Sequence, residues 1–161
     1  MANILELILK IKTDELKYSS SIPDGIKNED IDTLKEKFKS KFKVDIDDQL
    51  VNFLRTCDGL SKNGYIVYSS YDHIKDEVEY GLFKNNELWQ KYTGEVQYIY
   101  FAEGSQDLFA FDSKSLKYEL HDRYSFDVHE TFQDFDEMIQ YILNGMLGIY
   151  DDDDDDDEND N

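Results

Sequence analysis

The sequence predicts an α+β fold: N-terminal helices, a central antiparallel β-sheet meander and a C-terminal helix. The first third of the chain places apolar residues at helical spacing, whereas the middle contains short aromatic and β-branched runs separated by turn-forming residues. A last apolar stripe with helical spacing precedes an acidic C-terminal run. Helices at both ends of a meander are typical of the α+β class, and we expect residues 1–150 to form a single domain.

Two amphipathic helices are predicted first along the chain. The first covers residues 3–17, and the second begins near Asn28, after a turn at residues 23–25. Their apolar faces consist of Ile4, Leu7, Ile8, Ile11 and Leu16 in the first helix, and of Ile31, Leu34, Phe38 and Phe42 in the second.

A third, shorter helix is predicted over residues 47–57. Asp47 or Asp48 is positioned to cap its start, and Gly59 stands where a left-handed residue would end it. Its apolar side consists of Leu50, Val51, Phe53, Leu54 and Cys57.

After Gly59 the period changes to that of strands. Four runs rich in aromatic and β-branched residues predict strands at residues 65–69, 96–102, 108–112 and 117–121. The connections at residues 104–107 and 113–115 have hairpin length, so we expect the strands that they join to be antiparallel neighbours.

Two further segments complete the pattern. Residues 72–80 suit a short helix, and residues 82–92 suit either a strand or a turn, so this part of the chain stays open. The closing helix is expected to begin at a capping box formed by Thr131 and Asp134. Its apolar face would comprise Phe132, Phe135, Met138, Ile139, Ile142, Leu143 and Met146.

The charge of the chain limits the classes of partner. The chain has 37 acidic and 17 basic residues; nine of the acidic ones lie in residues 151–161, so residues 1–150 still hold 28 acidic against 17 basic residues. A surface of that sign repels nucleic acid phosphates and anionic lipids and attracts basic proteins. We therefore expect a protein partner, with no direct binding to nucleic acid or membranes.

Cysteine content and hydropathy predict a cytoplasmic protein. Cys57 is the single cysteine of the chain, so it has no intramolecular disulfide partner. The apolar run at residues 3–11 is interrupted by Glu6, follows no basic region and precedes no small-residue cleavage site, which argues against a signal peptide. No segment has the length and apolarity of a membrane span.

Several side chains that could bind a metal or act in catalysis also have a structural explanation. His73, His121, His129 and Cys57 lack the close spacing of a zinc motif, so we expect isolated surface histidines, a core cysteine and no metal or other cofactor. A carboxylate-based hydrolase remains an alternative that would use Asp107, Asp112, Glu119 and Asp122. Sheet packing or a protein interface would suit Tyr98, Tyr100, Tyr118 and Tyr124.

Three segments carry a family resemblance: IDDQLVNFLRTCDGL at residues 46–60, YIYFAEGSQDLFAFDS at residues 98–113 and TFQDFDEMIQYIL at residues 131–143. In pattern and order they resemble the SUKH superfamily, bacterial immunity proteins that also include the eukaryotic Smi/Knr-type regulators. The chain departs from that pattern at residues 44–46, where the family has Leu-Pro, and at Asp58, where it has Asn.

The resemblance implies an antitoxin without catalytic residues that binds and neutralises a cognate bacterial toxin, frequently a nuclease. A basic nuclease would also be attracted by the acidic charge of this chain. Alternatively, the Smi/Knr branch implies a regulatory scaffold that binds another protein. We expect Glu103, Asp107, Asp112 and Tyr118 to contact the partner from an exposed sheet face and its hairpin turns. The acidic tail, residues 151–161, is predicted to be disordered.

Overall fold

The computed structural model describes residues 3–149, which form an α+β fold as the sequence predicts. The helices are α1 (Ile4–Lys17), α2 (Asn28–Phe42), α3 (Asp48–Thr56), α4 (Leu82–Thr93) and α5 (Phe135–Met146). The strands are β1 (Leu60–Lys62), β2 (Tyr65–Val67), β3 (Ile74–Lys75), β4 (Val78–Glu79), β5 (Tyr98–Glu103), β6 (Asp107–Asp112), β7 (Lys117–Asp122) and β8 (Val128–Phe132). The tail predicted to be disordered, residues 151–161, lies outside the described residues.

Six strands form one sheet in the order β1-β2-β5-β6-β7-β8, and every neighbouring pair is antiparallel. The two hairpins predicted from loop length are therefore confirmed as β5–β6 and β6–β7. Strands β3 and β4 form a separate small hairpin.

The two faces of the large sheet carry different layers. Helix α5 packs on the first face, where Phe135 lies 5.7 Å from Phe101 and Tyr141 lies 5.9 Å from Phe109, measured between ring centroids. Because side chains alternate along a strand, Tyr100 points to the opposite face, and there Trp89 of α4 lies 6.1 Å from it. We call this second side, covered in part by α4, the outer face.

The segment that the sequence left open contains a hairpin and a helix. Residues 72–80 hold the β3–β4 hairpin rather than a helix, and its turn is made by Asp76 and Glu77, both with positive φ. Residues 82–92 belong to α4, so the expectation of a strand or turn there is wrong. Gly94, with φ of 73°, ends this helix in the left-handed conformation that glycine favours.

The closing helix starts later than expected. Thr131 and Phe132 belong to β8, and the N-cap of α5 is Asp134, whose side chain accepts a hydrogen bond from the Glu137 N–H. The Thr131 capping box is therefore wrong, because pairing with β7 holds that residue in the sheet.

The first third follows the prediction with three local differences. Asp47 caps α3, but Cys57 leaves this helix in an extended conformation, and the left-handed residue is Gly59, two positions later. Leu16 is exposed rather than part of the apolar face of α1. Residues 23–25 form an irregular segment beside α3 rather than a turn, with the Ile26 N–H donating to the Leu54 carbonyl.

Candidate functional site

Three of the four predicted contact residues are buried. The exposed fractions are 8% for Glu103, 7% for Asp112 and 7% for Tyr118, whereas Asp107 is half-buried. The expectation that all four lie on an exposed face is therefore wrong for the first three. Each of these three side chains has a partner within the fold.

Tyr118 belongs to the packing between the sheet and α3. Its hydroxyl donates to Asp47 Oδ2 at 2.6 Å, while Asp47 Oδ1 caps α3 by accepting from the Gln49 N–H at 2.8 Å. Burial, followed by this hydrogen bond to Asp47, raises the pKa of Tyr118 well above its usual value. The side chain thus joins the sheet to the start of α3.

Asp112 ends β6 and organises the following turn. Its Oδ1 accepts a hydrogen bond from the Lys114 N–H at 2.9 Å. Burial by itself would raise the pKa of Asp112, but this bond and further hydrogen bonds from Ser115 outweigh it and lower the pKa. Asp112 therefore stabilises the β6–β7 turn.

The carboxylates of the hydrolase alternative do not assemble into one group. Asp107 lies opposite Asp122 across β6 and β7, and burial raises its pKa. Asp112 lies at the other end of β6, about 17 Å away at the usual rise per residue. Asp122 also accepts from the Tyr124 and Ser125 N–H groups in its own turn.

Residues 3–149 contain neither a cluster of metal-ligating side chains nor a reactive thiol. This part of the chain contains no group of three His, Cys, Asp or Glu side chains arranged to hold a metal, and none of its helices is long and apolar enough to cross a membrane. Cys57 is fully buried, as expected, and burial followed by the nearby Asp58 charge raises its pKa to about 12. His121, expected at the surface, is buried as well.

A buried polar cluster lies on the outer face of the sheet. His121 Nε2 lies 2.7 Å from Glu119 Oε2, and the Tyr98 ring meets the imidazole edge to face at 4.8 Å between centroids. Among the described residues, His121 Nδ1 is a buried side-chain atom without a hydrogen-bond partner. Burial, then the charges of Asp112, Glu119 and Glu95, raises the pKa of Tyr98.

An aromatic patch lies next to this buried polar cluster. We define it as Trp89 and Tyr92 of α4 and Phe126 of the β7–β8 turn, with ring centroids 5.9 Å apart for Tyr92 and Phe126 and 6.3 Å for Trp89 and Phe126. Tyr92 is 76% exposed, and the other two rings are partly exposed. Such a set of rings can supply large apolar contact area to a protein partner.

Glu103 supports this patch through Arg123. The guanidinium of Arg123 donates to Glu103 Oε2 and lies over the Trp89 ring at 5.4 Å from its centroid. Trp89 Nε1 in turn donates to the buried Tyr68 hydroxyl at 3.1 Å. The predicted contact residue Glu103 therefore positions the patch instead of forming its surface.

Helix α4 is held in place by an asparagine that replaces a strand partner. Strand β2 pairs with β5, and this pairing ends with the hydrogen bond from the Tyr68 N–H to the Phe101 carbonyl. At the next residue, the Asn86 side chain accepts from the Tyr100 N–H and donates to the Tyr100 carbonyl, both at 2.8 Å. This attachment sets where the aromatic patch lies on the sheet.

Two exposed carboxylates, Glu95 and Asp127, lie next to the elements of the aromatic patch along the chain. Glu95 follows α4, and its charge adds to the effect of burial that raises the pKa of Tyr100 to about 12. Asp127, next to Phe126, is exposed, whereas Asp112 and Glu119, near Tyr98, are buried. Exposed rings bordered by negative charge suit a partner that presents apolar and basic groups together.

Sequence reasoning missed this patch for an identifiable reason. Trp89 and Tyr92 lie in the segment left open, and Phe126 lies between two strands. The signal that was present is Gly94, a C-cap residue one position after Thr93, which marks residues 82–93 as a helix. The contact between this helix and the β7–β8 turn depends on the tertiary fold.

Comparison with known proteins leaves the family open. No protein-family model matches the chain, and no curated protein matches it significantly.

Proposed function

We propose that this chain is a cytoplasmic immunity protein that binds a basic protein toxin and neutralises it by covering its active surface in a stoichiometric complex. The observation that carries the proposal is the aromatic patch bordered by carboxylates on an acidic protein. The resemblance to SUKH immunity proteins supports the same function, and a nuclease is the toxin class that matches the charge.

The patch replaces most of the contact set predicted from sequence. Tyr92 would be the central anchor, because it is the most exposed ring and has Trp89 and Phe126 beside it. Glu103 would act through Arg123, and Asp107 remains a predicted contact at the β5–β6 turn. Acidic groups around the rings would raise the association rate with a basic partner.

The test uses the product of the neighbouring reading frame as the candidate toxin. Expression of that product alone should arrest growth, co-expression with this chain should restore growth, and the two proteins should co-purify at one to one. A product that binds without toxicity would instead support the regulatory scaffold. Toxicity that this chain does not relieve would contradict the proposal.

Matched tyrosines test the interface. Tyr92 and Tyr18 are both 76% exposed, but Tyr18 lies at the end of α1, outside the patch. We expect Tyr92→Ala to weaken binding by about 30-fold or more, the range of a hot-spot residue, and Tyr18→Ala to change it by less than about twofold. Equal effects of the two substitutions would show that the patch is not the interface.

A further inference from the structure

A groove of about 650 Å³ lies beside α2, apart from the aromatic patch. Its walls come from α2, the irregular segment before it and the residues that precede β3, and Phe83 of α4 contributes to its lining. From Phe83 to Tyr92 is nine helical residues, or about 14 Å along the axis of α4. The groove and the aromatic patch are therefore separate surfaces.

Negative charge predominates in the groove. Two ammonium groups, Lys27 and Lys37, and four carboxylates line it; the carboxylates are those of Asp24, Asp30, Asp58 and Asp72. Asp58 is committed to the fold, since both of its oxygens accept from Ser70, at 2.7 and 2.6 Å. Asp24 and Asp30 are exposed, so their charges are available to a ligand.

One of the two ammonium groups already rests on an aromatic ring. Lys37 Nζ lies 4.1 Å from the centroid of the Phe83 ring, and the Phe42 ring stacks against Phe83 at 5.8 Å. With the Lys37 ammonium and the Phe42 ring against it, Phe83 is only 3% exposed. Lys37 itself is an exposed residue, and an exposed cation–π contact contributes only about 0.5–1 kcal/mol, so another cation can displace its ammonium.

We propose that this groove binds an extended basic peptide segment of a protein partner. An arginine or lysine of that segment takes the position of the Lys37 ammonium on Phe83, and its neighbouring cations lie against Asp24 and Asp30. The volume of the groove lies within the range of ligand-binding clefts. This site requires no toxin and stands independently of the aromatic patch.

Charge-matched substitutions in α2 test the proposal with a defined probe, the fluorescein-labelled peptide Gly-Arg-Gly-Arg-Gly-amide, measured by anisotropy on the full chain. Lys37→Gln removes the competing ammonium and should tighten binding about three- to tenfold. Lys35→Gln removes the same charge from an exposed residue outside the groove lining and should change binding by less than about twofold. Because Lys37→Gln is expected to gain affinity, a folding defect cannot imitate the result.

A second pair tests the carboxylates. Asp30 and Asp32 are both exposed on α2, but only Asp30 lines the groove. We expect Asp30→Asn to weaken peptide binding about fivefold and Asp32→Asn to leave it within about twofold. Equal effects within each pair would mean that the peptide responds only to the overall acidity of the chain, and absence of saturable binding would likewise overturn the proposal.

Discussion

Replacing Asn86 with alanine should detach α4 from the edge of the sheet. Asn86 is fully buried, and its amide makes three hydrogen bonds of 2.8 Å, to the Tyr100 N–H, the Tyr100 carbonyl and the Leu82 carbonyl. The substitution removes all three and leaves the two Tyr100 groups without their partner in a place that solvent does not reach.

The expected loss follows from these contacts. Each backbone group left unsatisfied in the interior costs about 1–2 kcal/mol, and the space left by the amide adds about 1 kcal/mol. Alanine returns about 0.5 kcal/mol through its higher helix propensity. We therefore expect the free energy of unfolding to fall by about 3 kcal/mol, which corresponds to a melting temperature lower by about 6–12 °C.

Urea unfolding followed by circular dichroism measures this change, with Asn52→Ala as the control. Asn52 is an exposed residue of α3, so its replacement should change stability by no more than about 0.5 kcal/mol. If Asn86→Ala remains within about 0.5 kcal/mol of the control, the amide is not what joins α4 to β5. Because α4 carries Trp89 and Tyr92, we also expect Asn86→Ala to weaken partner binding.

Three further predictions concern other parts of the chain. In Gly25→Ala the new Cβ would lie 1.8 Å from the Arg55 carbonyl oxygen, so we expect urea unfolding to show a loss of about 2–4 kcal/mol; an unchanged midpoint would contradict this packing. Cys57, with its pKa raised to about 12, should resist a thiol reagent at pH 8 until urea unfolds the chain. The contribution of the buried Cys57 thiol to stability should decline as pH rises from about 9, where the thiol of the unfolded chain ionises, towards 12. If the reagent labels the folded protein as fast as the unfolded chain, the burial of Cys57 is refuted. Deleting residues 151–161, which hold nine carboxylates, should slow association with the proposed toxin about tenfold at low salt, and the difference should fade as salt screens the charges. Stopped-flow association rates of the full and truncated proteins that superimpose across a salt series would leave only a solubility role for this segment.

The central sheet was predictable because its signals are local. Each of β5, β6 and β7 is a short aromatic or β-branched run, and loops of hairpin length determine their antiparallel pairing. By contrast, β8 carries Val128, His129 and Glu130 at exposed positions, and it becomes a strand by pairing with β7. Residues 82–93 were ambiguous because Asn85 and Asn86 occupy buried helix positions, where a periodicity argument expects apolar residues.

The candidate site shows the same division. Composition alone determined the acidic charge, and the periodicity of the chain determined an α+β fold with helices at both ends. Only the tertiary structure decided which of the predicted contact side chains are available to a partner. Asp112 accepts a hydrogen bond from the backbone of its own turn, Tyr118 donates to Asp47 at the start of α3, and Glu103 accepts from Arg123. The sequence pattern indicates on which face of a strand a residue lies, but its burial depends on the distant parts of the chain that pack on that face. Trp89 of α4, for example, packs against Tyr100 of β5 and Phe126 of the β7–β8 turn.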